Sequence, residues 1–308
     1  MCDASPNHEL PHRVSIAQHI FLSGAGMTWQ TLIDPASLRR ELGNAPLALI
    51  DCRFDLTDPG SGERAYLAGH IPGAHYAHLD RDLSDLGRTG RGRHPLPDSD
   101  AFCASLERWG VTPAHQVVAY DADNGMYAAR LWWMLRLLGH RRVAVLDGGL
   151  AGWQAEGGEL ERNVPRAGGG QYKARFDSRA IVTTAVIAAR LASGNGLLLD
   201  ARAAPRFRGE VEPLDPRAGH IPGAVNHPFL ENLASDGRFL PADVLAGRFH
   251  ALVGTGSPSD VVHMCGSGVT ACHNLLAMEH AGLAGSRIYA GSWSEWVSVP
   301  ERPIAVGE

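Results

Sequence analysis

The feature that most constrains this chain is that it repeats itself. Leu49-Ile50-Asp51-Cys52-Arg53 returns as Leu198-Leu199-Asp200-Ala201-Arg202. Gly69-His70-Ile71-Pro72-Gly73-Ala74 returns unchanged as Gly219-His220-Ile221-Pro222-Gly223-Ala224, and Val117-Val118-Ala119-Tyr120-Asp121 aligns with Val261-Val262-His263-Met264-Cys265. Asp147-Gly148-Gly149 closes the first copy as Ala290-Gly291-Ser292 closes the second, each followed by a tryptophan-bearing segment. The landmarks keep one order at a spacing of about 150 residues, far beyond the period of a solenoid repeat, so the duplicated unit is a whole domain. A chain of 308 residues gives each copy room for its own core.

Both copies share one grammar. An apolar run ends in Asp-x-Arg, a Gly-Pro turn and a polar stretch follow, then a helix, a Val-Val strand, a loop, a second helix and a short strand. Strands alternating with helices predict an α/β fold: two tandem domains, each a mostly parallel sheet flanked by helices. Phe102, Leu106 and Trp109 stand at helical spacing and predict a helix over 101–109; a second is expected over 126–138, with counterparts over 244–253 and 271–281. The expected organisation is an extension over 1–27, a first domain over 28–155, a linker over 156–178 and a second domain over 179–304. Gly157-Gly158, Pro165 and Gly168-Gly169-Gly170 mark the linker.

Charge and cysteine usage narrow the function. The 28 basic and 33 acidic residues leave a net charge of −5 with no block of like charge, so no surface for nucleic acid or an anionic membrane is expected. No apolar stretch reaches the roughly 18 residues that span a bilayer. Residues 1–27 lack a basic segment followed by an apolar core, so they read as a loosely ordered extension rather than a secretory signal. The five cysteines, Cys2, Cys52, Cys103, Cys265 and Cys272, are odd in number and scattered, unlike a disulfide framework. A reducing cytoplasm is the expected setting.

Chemistry concentrates in His263-Met264-Cys265-Gly266-Ser267-Gly268-Val269-Thr270-Ala271-Cys272-His273. The pattern reads as a buried strand, a small-residue loop opened by Cys265, and a helix. Backbone N–H groups of Gly266, Ser267 and Gly268, with a helix N-terminus behind them, would stabilise an anion on the sulfur. Cys265 is therefore the candidate nucleophile. A packed structural thiol is the bland alternative; it suits Cys272 better than Cys265. Zinc on His263, Cys265, Cys272 and His273 fits no usual spacing and would occupy the nucleophile, so neither a metal nor an organic cofactor is expected. Cysteine phosphatases use a similar loop but need arginine six residues after the cysteine, and Ala271 stands there. The first copy has Asp121 in place of the cysteine. A carboxylate can fill such a loop but carries no transferable sulfur, so the first copy reads as a silent wall of a site between the domains.

From about residue 28 to 303 these motifs resemble the tandem-domain sulfurtransferases of the rhodanese superfamily. The loop Cys265-Gly266-Ser267-Gly268-Val269-Thr270-Ala271, with Gly291-Ser292-Trp293-Ser294-Glu295-Trp296, is most similar to the 3-mercaptopyruvate sulfurtransferases. The resemblance implies that Cys265 takes a sulfur atom from a small donor as a persulfide and yields it to a thiol, thioredoxin or cyanide. It also implies a proton relay of Ser267 and His70, completed by Asp58 or Glu63. Arg206 would bind the donor, with Gly266, Gly268, Val269 and Thr270 lining the site. Related thiosulfate enzymes carry Arg-Lys after the cysteine; Gly266 and Ser267 are uncharged, which favours mercaptopyruvate over thiosulfate as donor. The second arginine of the family falls at Leu214, and Arg217 is the expected substitute, since its fork of N–H donors can reach a carboxylate from a neighbouring turn. Arg53 and Arg202 read as structural partners of Asp51 and Asp200. A non-catalytic sulfur carrier or sensor is the remaining alternative, and a monomer the expected state.

Overall fold

A computed structural model describes residues 28–308 apart from 45, 167 and 194–195, so the expected N-terminal extension lies outside the described residues. The first sheet is built from β1 (Leu32–Ile33), β2 (Leu47–Asp51), β3 (Ala74–Tyr76), β4 (Gln116–Tyr120) and β5 (Val143–Leu146), in the order β1-β5-β4-β2-β3. The second contains β6 (Ile181–Val182), β7 (Leu197–Asp200), β8 (Ala224–Asn226), β9 (Val261–Met264) and β10 (Arg287–Tyr289), in the order β6-β10-β9-β7-β8. The two orders are the same topology, and every pairing is parallel. Helices cover both faces, as a parallel sheet requires. Accordingly, β4 and β9 are buried along their whole length.

Local chemistry explains where the helices begin. Ser99–Arg108 starts two residues before the expected point because Asp98 caps it, accepting from the Ala101 N–H at 2.8 Å. Ala128–Leu137 starts two residues late because the Asp121 carboxylate holds the N–H groups of Tyr127 and Ala128. The counterparts Ala242–Val253 and Thr270–His280 lie within two residues of expectation. The edge strands β1 and β6 were not foreseen, since two residues carry no periodicity.

The repeated Asp-x-Arg and Gly-His-Ile-Pro-Gly-Ala motifs have structural work in both copies. Arg53 donates to Asp51 at 2.6 Å and to the Gly69 carbonyl at 2.7 Å; Arg202 does the same to Asp200 at 2.6 Å and Gly219 at 2.8 Å. Each pair ties the end of a strand to the following turn. The turn histidines match as well. His70 stacks on Tyr66 with Nδ1 at 2.8 Å from the Tyr66 carbonyl, and His220 stacks on Phe207 with Nδ1 at 2.8 Å from the Phe207 carbonyl.

The domains meet along two helices that are buried along most of their length. Ala128–Leu137 and Thr270–His280 pack against each other, and residues of both belong to one continuous core. Arg136 and Glu279 pair across this boundary at 2.9 Å. His273 crosses it too, stacked on Phe239 with Nε2 at 3.0 Å from the Asn124 carbonyl. Burial pushes His273 and His263 down to about 3, so both stay neutral in the fold. Unfolded, each would titrate near 6.5, so their contribution to stability is complete above that pH and is lost as pH falls towards 3. The loss runs at up to about 1.4 kcal/mol per pH unit for each group. The urea midpoint should therefore drop between pH 6.5 and 4.5, and a His273→Gln variant should show a shallower slope. Equal slopes would contradict the burial cost.

Candidate active site

Cys265 follows β9 directly and is 2 % exposed. Of the three N–H groups expected to converge on its sulfur, that of Gly268 does so, at 3.1 Å. The loop is pinned from below by the segment after β10. The Cys265 N–H donates to Ser292 Oγ at 3.1 Å, the Trp293 N–H to the Cys265 carbonyl at 3.0 Å, and the Ser294 N–H to the Gly266 carbonyl at 2.9 Å. Ser292 sits at φ 54, a left-handed conformation that costs a non-glycine residue roughly 1–2 kcal/mol. The first copy has Gly149 there at φ 56. The serine accepts this strain at the one position where its hydroxyl can hold the cysteine backbone. Gly268, at φ 80, has no alternative: an added Cβ would lie 2.3 Å from the Ala290 carbonyl oxygen.

The same loop in the first copy shows what the cradle is built to hold. Asp121 accepts from the N–H groups of Gly125 at 2.9 Å, Tyr127 at 2.8 Å and Ala128 at 3.2 Å. Burial raises its carboxyl against those three bonds. A carboxylate fills the anion cradle of one copy, and a cysteine sulfur stands at the matching place in the other.

The partner of Ser267 comes from the first domain. Ser267 Oγ lies 2.7 Å from His94 Nδ1, and His94 Nε2 lies 3.5 Å from Asp80 Oδ1. Burial, with the charges of Arg130 and Arg93 adding to it, pushes His94 down to about 3. The ring is therefore neutral; with Nε2–H turned to Asp80, Nδ1 is free to accept from the Ser267 hydroxyl. This corrects the expectation for His70, whose Nδ1 and Nε2 lie 2.8 and 3.2 Å from the carbonyls of Tyr66 and Asn163. It also corrects the carboxylate: Asp58 pairs with Arg64 and Glu63 with Arg81 on the surface, while Asp80 faces the histidine. His94 escaped notice because Arg91-Gly92-Arg93-His94-Pro95 belongs to no repeated landmark.

Arg130 is a further residue of the site that no motif marks. It is fully buried, donating from Nη1 to the Gly268 carbonyl at 3.0 Å and from Nη2 to those of Leu83 at 3.3 Å and His94 at 3.2 Å. One guanidinium thus joins the Cys265 loop to the segment that carries His94. A lone cation inside the apolar run Ala128-Ala129-Arg130-Leu131-Trp132-Trp133 was the available signal.

Two guanidinium groups stand over Gly266. A Cβ there would lie 3.0 Å from Arg93 Nη2 and 3.5 Å from Arg206 Nη1. Arg206 was expected, Arg93 was not. Gly92 and Arg93 lie against the pinning segment of the second domain, with the Arg93 N–H on Ser294 Oγ at 3.0 Å. A Cβ on Gly92, at φ 89, would meet the Gly291 carbonyl at 2.7 Å. Arg217 is elsewhere. It donates to the carbonyls of Pro300 at 2.9 Å and Arg302 at 3.4 Å, so it secures the C-terminal segment and corrects the expectation that it replaces Leu214, itself 42 % exposed. Val269 is buried at the entrance to the helix that Thr270 begins. Acidic side chains hold the cations in an alternating series: Arg93 with Asp215, Arg206 with Asp215 at 3.4 Å and Glu212 at 2.6 Å, and Arg202 with Glu212 at 3.5 Å.

Comparison with known proteins agrees with this geometry. Residues 34–156 and 183–299 each match the family described as Rhodanese-like domain. The chain is 49% identical over 284 residues, 92% of its own length and 100% of the relative's, to a Pseudomonas aeruginosa protein named "Probable 3-mercaptopyruvate sulfurtransferase". It is 40% identical over 283 residues, 90% of this chain and 98% of the other, to a Mycobacterium tuberculosis protein named "Putative thiosulfate sulfurtransferase SseB". The crystal structure of SseA from Escherichia coli, a 3-mercaptopyruvate sulfotransferase by its description, superposes with a TM-score of 0.74 at 33% identity, covering 86% of this chain and 100% of that one. The chain belongs to the rhodanese family, as two rhodanese-like domains in tandem. The shared activity of its relatives makes it a sulfurtransferase.

The two histidines give a direct test. His94→Gln should slow sulfur transfer by about a hundredfold, the scale of a lost acid–base partner, with little change in melting temperature. His70→Gln should lower the melting temperature and leave kcat within about twofold. The reverse pattern would restore His70 to the relay.

Proposed function

We propose that this enzyme takes sulfur from 3-mercaptopyruvate onto Cys265 and passes it to a thiol. The observation that carries the reading is the Ser267–His94–Asp80 array beside the cysteine. Thiosulfate releases sulfite, a stable anion that needs no proton at the reacting centre. Mercaptopyruvate must lose a proton from its sulfur and gain one at carbon, and that transfer calls for a relay.

The steps follow from the placement of the groups. The Cys265 thiolate attacks the donor sulfur, the S–S bond forms, and the electron pair of the C–S bond leaves on the pyruvate enolate. The proton from the donor thiol passes through Ser267 to the enolate carbon, giving pyruvate and a Cys265 persulfide anion. Neutral His94, accepting from the Ser267 hydroxyl, draws that proton away and makes the oxygen a better acceptor for the incoming one. Asp80 faces the other ring nitrogen at 3.5 Å, where its charge favours a proton on Nε2. The low basicity of His94 suits an exchange in which no imidazolium persists. An incoming thiolate then attacks the outer sulfur and regenerates Cys265. A dithiol such as thioredoxin could complete the release by forming its own disulfide, and cyanide would leave as thiocyanate.

The donor carboxylate would lie between Arg93 Nη2 and Arg206 Nη1, with the small Gly266 leaving room for it. The same pair of cations supports thiosulfate as a second reading, in keeping with the description of the mycobacterial relative. Side-by-side kinetics decide between them: kcat/KM for mercaptopyruvate should exceed that for thiosulfate by at least about a hundredfold, and equal values would overturn the donor assignment. Mass spectrometry after addition of donor should show a gain of about 32 Da, one sulfur atom, that is absent in Cys265→Ser. Arg206→Ala should raise KM for mercaptopyruvate about tenfold or more with a smaller effect on kcat. An unchanged KM would move carboxylate binding away from this arginine.

A further inference from the structure

We infer that Asp215 sets the charge of the donor this site accepts, an inference that rests on the sulfur-donor reading above. Asp215 meets both cations that overlook Gly266: one carboxylate oxygen pairs with Arg93 Nη1 and the other lies 3.4 Å from Arg206 Nη2. Arg93 belongs to the first domain and Arg206 to the second, so one side chain clasps the two halves of the anion site together. Its own position is firmly fixed. The side chain is 3 % exposed, the Asp215 N–H donates to Glu212 Oε1 at 3.2 Å, and Pro216 restricts its backbone.

The bridge leaves the inner edges of the guanidinium groups open. Asp215 and Glu212 occupy Arg93 Nη1 and the Nε and Nη2 of Arg206, while Arg93 Nη2 and Arg206 Nη1 turn towards Gly266. The donor thus finds two forks of N–H donors in place but meets less than their combined charge, because a fixed carboxylate lies behind them. A monoanionic head group, such as the carboxylate of a 2-oxo acid, is satisfied by the hydrogen bonds. A dianion gains twice as much from each uncancelled positive charge and loses twice as much to each fixed negative one, so Asp215 penalises it selectively. Specificity in this loop is then set by an acid behind the cations rather than by the neutral residues after the cysteine alone.

The test uses the Cys265→Ser protein, in which no sulfur moves, and measures the affinity of pyruvate and of thiosulfate by calorimetry. Introducing Asp215→Asn should tighten thiosulfate binding about tenfold more than pyruvate binding and make it more sensitive to salt. Asp215→Glu, which keeps the charge, should retain the original ratio of the two affinities. If the Asn variant does not fold, Arg93→Gln in the same background should move the ratio the other way, weakening thiosulfate more than pyruvate. A ratio unchanged by the charge-altering variants, or shifted equally by Asn and Glu, would overturn the inference. Failure of the donor reading has a separate signature: intact Cys265 would gain sulfur from thiosulfate and none from mercaptopyruvate, whatever the ratio of affinities.

Discussion

The buried guanidinium of Arg130 is the interaction on which the site depends. It stands where no water can replace its partners, and it satisfies carbonyl groups from three separate segments, those of Leu83, His94 and Gly268. Removing the guanidinium would leave buried carbonyl groups without a donor, at about 1–3 kcal/mol for each group left unsatisfied. Here the same contact also fixes geometry. Gly268 supplies the N–H that faces the Cys265 sulfur, and His94 supplies the ring that faces Ser267. Cys265 and the Ser267–His94 pair keep their spacing because a cation from the first domain holds both supports at once.

Duplication explains how such a site can arise. Both domains end their central strand in a loop whose N–H groups suit an anion. The first domain closes that loop with its own carboxylate, Asp121. The same domain places Asp80, Arg93, His94 and Arg130 around the loop of the other. The second domain departs from the shared pattern at Ser292, which accepts a strained backbone to hold the cysteine, where the first has an unstrained glycine. Strain falls where a hydroxyl meets the Cys265 N–H.

Much of this could be read from the residues. The Asp-x-Arg pairs, the parallel sheets and the role of Cys265 as the opening of a cradle follow from motifs that are local or repeated. The relay did not. His70 lies in the most conspicuous shared motif, yet a motif present in both copies is more readily explained by the fold they share than by chemistry done in one. The occurrence of His220 at the matching place was itself the warning. His94 and Arg93 reach the Cys265 loop across about 170 residues of chain, and no periodicity reports a contact of that span. Arg217 failed for a related reason. Closeness in sequence to the missing arginine suggested substitution, while the turn sends its side chain to the carbonyls of Pro300 and Arg302. The second arginine over Gly266, beside Arg206, is Arg93 of the first domain.

The central claim is that Ser267 and His94, on different domains, act as one unit. A double-mutant cycle on the single-turnover rate of persulfide formation from mercaptopyruvate, with Ser267→Ala, His94→Ala and the pair, tests it directly. For a shared relay the double variant should be no slower than the slower single variant, because the second change removes nothing that the first has left working. Rates that fall by the product of the two single effects would mean that the residues contribute independently, and would contradict a relay spanning the domain boundary.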